Sequence, residues 1–303
     1  MPRVPQVDVD VFLQLSPEAL RARLPALVAE QVDDALRSDA ISSELAELIA
    51  SWSDSDVTSI VDAVAAVGVD RRLYTAHPLL RQAVRIWCRH VLAGSTVEGV
   101  EHLAEAVAAG PTAVVCNHQS YIDTNAIDTV LCGHARDELA NRIVSAAGPK
   151  VYEGMLRRLV SASLNTIPVP QSNTLDHTAQ LPGRDLARHS LEAVAQSHVA
   201  MNEGYVLLIY PEGARTRTGR MRPFLPAVYR YFKLPGIRVV PAALTGTAKV
   251  IGVGEREVRP GACTLRFGPP IDADKAGGPR DVPNAAQLAV SQLLPMELRP
   301  AGG

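Results

Sequence analysis

The sequence carries almost no net charge, no paired cysteines and no apolar run long enough to cross a bilayer. A formal charge of −2 over 303 residues gives no electrostatic reason to expect a nucleic-acid partner, so none is predicted and any basic site must be local. The four cysteines, Cys88, Cys116, Cys132 and Cys263, stand far apart without a C-x-x-C pair. That argues against a disulfide framework or a structural zinc site and fits a reducing compartment. The opening stretch MPRVPQVDVD has no basic run leading into an apolar core, so it does not read as an export signal. Apolar runs such as YVLLIY reach about six residues, against the roughly 20 that a spanning helix needs. None of the eight histidines shows H-E-x-x-H or comparable ligand spacing. No internal repeat and no low-complexity tract is visible. The expectation is a cytoplasmic protein, either soluble or peripheral to the inner face of the membrane.

What is present is apolar: 47% of the residues are hydrophobic, enough for a sizeable core in one long domain or two. Residues 1–95 read as an N-terminal helical domain. Ser16 with Pro17 and Glu18 is a helix start, and Leu20, Leu24 and Leu27 follow on one face. Helical patches recur at SSELAELIASW, SDVTSIVDAVAAVG and PLLRQAVRIWCRHVLAG, with Gly68 and Gly94 as stops, which makes a four-helix unit. Residues 96–303 read as an α/β domain with a mixed sheet and crossover helices. Its predicted strands are TAVVCN, NRIVSAA, NTIPV, YVLLIY, RVVPAAL and CTLRF, and its longest helix is predicted over 184–203, before Gly204.

Two segments stand out chemically. In VVCNHQSYID a strand runs into His118, with Asp123 about one turn later. On one regular helix the two would lie about 140° apart, so they touch only if His118 sits at or before the helix start. A carboxylate on one imidazole nitrogen fixes the tautomer and leaves the other free to take a proton from an alcohol. Read alone, the pair also suits a helix cap with a dipole-favoured acid in the first turn. In YVLLIYPEGARTRTGRMRPF a strand ends at Pro211-Glu212-Gly213 and delivers Arg215, Arg217, Arg220 and Arg222. Arginines held by a tight turn can fork onto phosphate, whereas a run of them on a surface usually only solvates it. Cys116 and His118 are two apart on a strand and could share a face as nucleophile and base, but a cysteine within AVVC suits core packing better.

Together NHQSYID and YPEGARTR resemble the N-H-x-x-x-x-D and F-P-E-G-T-R motifs of the glycerolipid acyltransferases, the glycerol-3-phosphate and lysophosphatidic acid acyltransferase family. VEGVEHL and VVPAAL resemble the family's flanking segments, so the likeness spans roughly residues 96–270. The N-terminal helical unit and GARTR look most like the soluble plastid-type glycerol-3-phosphate acyltransferases.

The resemblance implies His118 as general base, Asp123 as the residue that orients it, and Glu212, Gly213, Arg215 and Arg217 as substrate-binding residues. It implies acyl transfer from acyl-CoA or acyl carrier protein to a hydroxyl of glycerol-3-phosphate in phospholipid synthesis, with no cofactor and no metal. Lysophosphatidic acid or another alcohol is the alternative acceptor. The sequence departs from the pattern at Ala214, where threonine is usual, and at Tyr210, where phenylalanine is. NTIPVPQSN also lacks the arginine that closes the family's middle motif, and for the lysine and histidine that the plastid-type pattern carries downstream of that strand only His177 offers a counterpart. Two rival readings are a non-catalytic lipid-surface protein of the same fold and a metal-dependent hydrolase. The first predicts loss of His118 or Glu212, and the second predicts further clustered ligands; neither pattern is present.

Overall fold

The computed structural model describes residues 9–170, 183–255 and 257–300. The N-terminal segment folds into α1 (Val9–Leu13), α2 (Pro17–Ala29), α3 (Ala35–Ala50), α4 (Asp54–Ala66) and α5 (Pro78–Val91). The four predicted helices are α2 to α5, and the short α1 precedes them. Ser16 caps α2 by accepting the Ala19 N–H at 3.2 Å, with Pro17 at the first helical position where no partner for its nitrogen is needed. Ser53 and Asp56 open α4 with a capping box, each satisfying a backbone N–H of the other.

The rest alternates strands and helices: β1 (Thr96–Glu98), α6 (Val100–Ala109), β2 (Thr112–Cys116), α7 (Asp123–Gly133), α8 (Asp137–Arg142), β3 (Ile143–Ala147), α9 (Met155–Ala162), β4 (Asn165–Pro168), α10 (Gly183–Asn202), β5 (Val206–Ile209), β6 (Arg238–Thr245), α11 (Thr247–Val250), β7 (Thr264–Phe267), β8 (Ile271–Asp272) and α12 (Val282–Leu293). Each predicted strand is present within two residues of its expected ends. β1 and β8, three and two residues long, were not anticipated, because pieces that short leave no periodic signal.

The strands form one mixed sheet in the order β1-β7-β6-β2-β5-β3-β4, with β8 also on β6. Pairing is parallel from β6 through β2, β5 and β3 to β4, while β7 and β8 run antiparallel to β6. The fold is thus α/β with a mixed sheet and crossover helices. Side chains alternate between two buried faces, which is why the central strands read as unbroken apolar runs. Val114, Cys116, Leu208, Val240 and Leu244 face a core shared with α2 to α5 and α7, so the N-terminal helices and the sheet bury one continuous apolar cluster. Ala113, Val115, Leu207, Val239 and Ala243 face a second core with α10 and α12.

An ion cluster fastens the helical segment to α7. Asp128, nearly buried, accepts from Arg81 at 2.9 Å and from Arg85 at 2.7 Å, both on α5. Because α7 begins at Asp123, this cluster also fixes the helix that carries the site. Among the described residues no helix is long and apolar enough to cross a membrane.

Candidate active site

Strands β6, β2 and β5 are neighbours and run parallel, so their carboxyl ends open onto one edge of the sheet. Ligand sites of open α/β sheets gather at such edges. β2 leads into His118 and then Asp123, β5 into Tyr210 and Glu212, and β6 into Gly246 and Thr247. The sequence places Asp123 and Thr247 124 positions apart, and strand order brings them together.

After β2 the chain leaves the sheet while remaining tied to it. Asn117 donates from Nδ2 to the Leu244 carbonyl and accepts the Leu244 N–H at Oδ1, both at 2.8 Å, as a further rung between β2 and β6. His118 then precedes α7, as contact requires, and its Nδ1 lies 2.8 Å from Oδ2 of Asp123. Asp123 is 1% exposed and its carboxylate is fully engaged. Oδ2 also accepts the N–H groups of Gln119 at 2.6 Å and Ser120 at 2.9 Å, and Oδ1 accepts the Thr247 hydroxyl at 2.6 Å. Three donors besides the imidazole hold the group as an acceptor-only carboxylate, so the shared proton sits on Nδ1 and Nε2 is the basic nitrogen. Nε2 bonds to none of the described residues, and the His118 side chain is 22% exposed.

Two features hold the imidazole plane. The Tyr210 ring stacks on it with centroids 4.2 Å apart and 17° between planes, and the Tyr210 hydroxyl is 3.0 Å from Thr124 Oγ1. Glu212 braces the main chain: Oε1 accepts the His118 N–H and Oε2 the Arg222 N–H, each at 2.7 Å. The Glu212 carboxyl is 1% exposed, and burial pushes its pKa up to about 7 against the opposing pull of the Arg222 and His118 N–H groups. In return the His118 carbonyl accepts the Thr216 N–H at 3.0 Å, so the two motif loops are laced in both directions.

Gly213, with φ of 70°, occupies the left-handed region that lets the chain reverse after Glu212. Beyond it Arg215 and Arg217 part company. Arg217 is exposed, whereas Arg215 turns inward and lays its guanidinium 3.3 Å from the centroid of the Tyr121 ring. Arg157 of α9 stands over the same ring at 4.3 Å. The sequence reading gave neither Tyr121 nor Arg157 a place in the site. Nor did it name Thr247, the first residue of α11, which follows Gly246 (φ 100°), where a Cβ would meet the Ala262 carbonyl oxygen at 2.5 Å. His177 lies outside the described residues.

Cys116 is completely buried, and burial drives its thiol well above the usual range, which suits core packing and not a nucleophile. The helix over 155–162 buries Met155 and Leu159 in the core. Among the described residues no group of three or more His, Cys, Asp or Glu is placed to hold a metal ion. The arrangement is one oriented imidazole beside a pair of arginines.

A family profile described as Acyltransferase matches residues 94–245, half of the chain. Curated relatives include a 1-acyl-sn-glycerol-3-phosphate acyltransferase of Chlamydomonas reinhardtii, 30% identical over 112 residues, which are 37% of this chain and 33% of that protein. A chloroplastic 1-acyl-sn-glycerol-3-phosphate acyltransferase of Brassica napus is 25% identical over 163 residues, 54% of this chain and 40% of that protein. The alignments thus reach two fifths of these relatives' length or less. Among solved structures, the 1-acyl-sn-glycerophosphate acyltransferase PlsC of Thermotoga maritima superposes over 96% of this chain and 95% of that one, with TM-score 0.49 and 13% identity.

Proposed function

The chain belongs to the acyltransferase family, and we propose that it moves an acyl group from a thioester donor to the free hydroxyl of 1-acylglycerol 3-phosphate. The observation that carries this reading is the bond from His118 Nδ1 to the buried Asp123 carboxylate at the mouth of β2. In the proposed reaction Nε2 of His118 takes the acceptor's hydroxyl proton as its oxygen attacks the thioester carbonyl. The imidazolium so formed faces Asp123, which stabilises its charge. The tetrahedral oxyanion collapses, the carbon–sulfur bond breaks, and the thiolate leaves with the proton that His118 returns. Ester and free thiol are the products, and atoms balance without any further reactant. The N–H groups of His118, Gln119 and Ser120 are already committed to Glu212 and Asp123, so they do not serve the oxyanion.

The relatives' names favour 1-acylglycerol 3-phosphate over the glycerol-3-phosphate that the sequence reading put first. Either donor carrier, coenzyme A or acyl carrier protein, fits the reaction. Purified full-length protein, given labelled acyl-coenzyme A or acyl carrier protein and a panel of alcohols, should acylate 1-acylglycerol 3-phosphate with the highest kcat/KM. A higher value with glycerol-3-phosphate would reverse the acceptor assignment, and no ester with any pair would remove the reading. Since substrate and product are amphiphilic, we place the enzyme on a lipid surface as a peripheral protein. An alkaline carbonate wash should release it from membranes, and a need for detergent would contradict this placement.

A further inference from the structure

We infer that Arg157, which shares the Tyr121 ring with Arg215, completes a clamp for the acceptor's phosphate group and is a specificity-determining residue of the reaction, Arg215 being the arginine that the family resemblance already assigns to the substrate. This rests on the acyl-transfer reading of the His118 site and deepens it.

Two guanidinium groups lie 4.3 and 3.3 Å from the centroid of one phenol ring, one from α9 and one from the loop after β5. Aromatic faces attract cations and hold planar guanidinium groups flat, which presents their N–H edges in a fixed direction. Like charges so close need an anion, and the protein supplies little. Among the described residues no carboxylate pairs with Arg215, and its Nη1 is buried without a hydrogen-bond acceptor. Among the described residues the partners of Arg157 are Glu153, itself mostly exposed, at 3.4 Å and the Lys150 carbonyl at 3.1 Å. Burial pulls the Arg215 guanidinium below the usual arginine range; Tyr121 and Asp123 oppose this, and the charges of Arg157 and Arg217 add to it. A phosphate monoester answers each feature: it is dianionic, it offers several oxygens to planar forks, and it gives the buried Nη1 its missing acceptor.

Position selects the acceptor over the donor as the source of that phosphate. Tyr121 lies within the turn that joins His118 to Asp123, and the loop bearing Arg215 is bonded to the His118 carbonyl through the Thr216 N–H at 3.0 Å. A phosphate held there sits beside the base. In a glycerol phosphate the phosphate and the reacting hydroxyl are a few bonds apart, whereas a pantetheine arm separates coenzyme A's phosphates from its thioester.

Arg157→Gln and Tyr121→Leu in the full-length protein test the clamp by initial rates against each substrate in turn. Each should raise the acceptor KM by about 10-fold or more, the size expected for a charge-assisted bond, and leave the donor KM within twofold. A rise in the donor KM alone would assign the arginines to the carrier's phosphates and overturn the proposal, as would an unchanged acceptor KM. Thermal shift with inorganic phosphate provides a readout without turnover. Wild type should gain stability over a chloride control of equal ionic strength, and Arg157→Gln should lose that gain. This arm decides the clamp even if no acyl transfer is found, and an equal gain in both proteins would overturn it. If Arg157→Gln fails to fold by circular dichroism, Arg157→Lys, which keeps charge but not the fork, should show the same acceptor-only defect, and its absence would overturn the clamp.

Discussion

The main-chain N–H of His118 donates to Oε1 of Glu212 at 2.7 Å across 94 positions of sequence, and the second oxygen of Glu212 takes the Arg222 N–H. This buried carboxylate ties the histidine turn to the arginine loop, so disturbing it should disturb both. Its carboxyl has an ordinary value of 4.5 and is pushed up to about 7 by burial. A carboxyl whose pKa is higher in the folded state binds more proton there. It therefore adds stability that is fully present below about 4.5 and is lost as pH rises through about 7. The difference in unfolding free energy between wild type and Glu212→Gln should shift against wild type between pH 4.5 and 7, measured by urea titration at several pH values. A difference flat across that window would mean that burial does not perturb Glu212.

Thr247 donates at 2.6 Å to the Asp123 oxygen that the histidine does not use, and it is fully buried. Thr247→Val keeps the shape and leaves that oxygen without a partner, which should cost about 1.5–3 kcal/mol of stability and lower kcat. Thr247→Ser, retaining the hydroxyl, should behave nearly as wild type. Equal stability of the valine and serine variants in denaturant titrations would show that the bond carries no weight.

The Tyr210 ring, stacked on His118, separates two contributions. Tyr210→Phe keeps the ring and loses only the contact with Thr124, so kcat/KM should stay within a fewfold of wild type. Tyr210→Ala removes a stacking partner worth about 0.5–1.5 kcal/mol beyond its area and frees the imidazole to rotate, so turnover should fall much further. Similar losses in both variants would assign the role to the hydroxyl.

Much of this architecture is legible in the sequence. The apolar runs mark the strands because those strands are buried on both faces, and the five-residue spacing admits a His118–Asp123 contact if the helix begins after His118, which it does: α7 starts at Asp123. The proximity of Glu212 to His118 is not written in either motif. It follows from β2 and β5 being neighbours, a fact of sheet order. The same cause hides Thr247: a lone threonine after β6 has no signature, and it becomes an Asp123 partner only because β6 lies on the other side of β2. Arg157 is hidden differently. Its helix reads as an ordinary amphipathic segment, and only the fold sets that helix beside Tyr121.

The most direct test of the account is turnover by His118→Ala, with labelled acyl-coenzyme A or acyl carrier protein at saturation, 1-acylglycerol 3-phosphate as acceptor, and circular dichroism to confirm the fold. A positioned general base contributes about 10²–10⁴ in rate, so a folded variant should lose activity by that factor. A folded His118→Ala protein that transfers acyl groups at close to the wild-type rate would contradict the account.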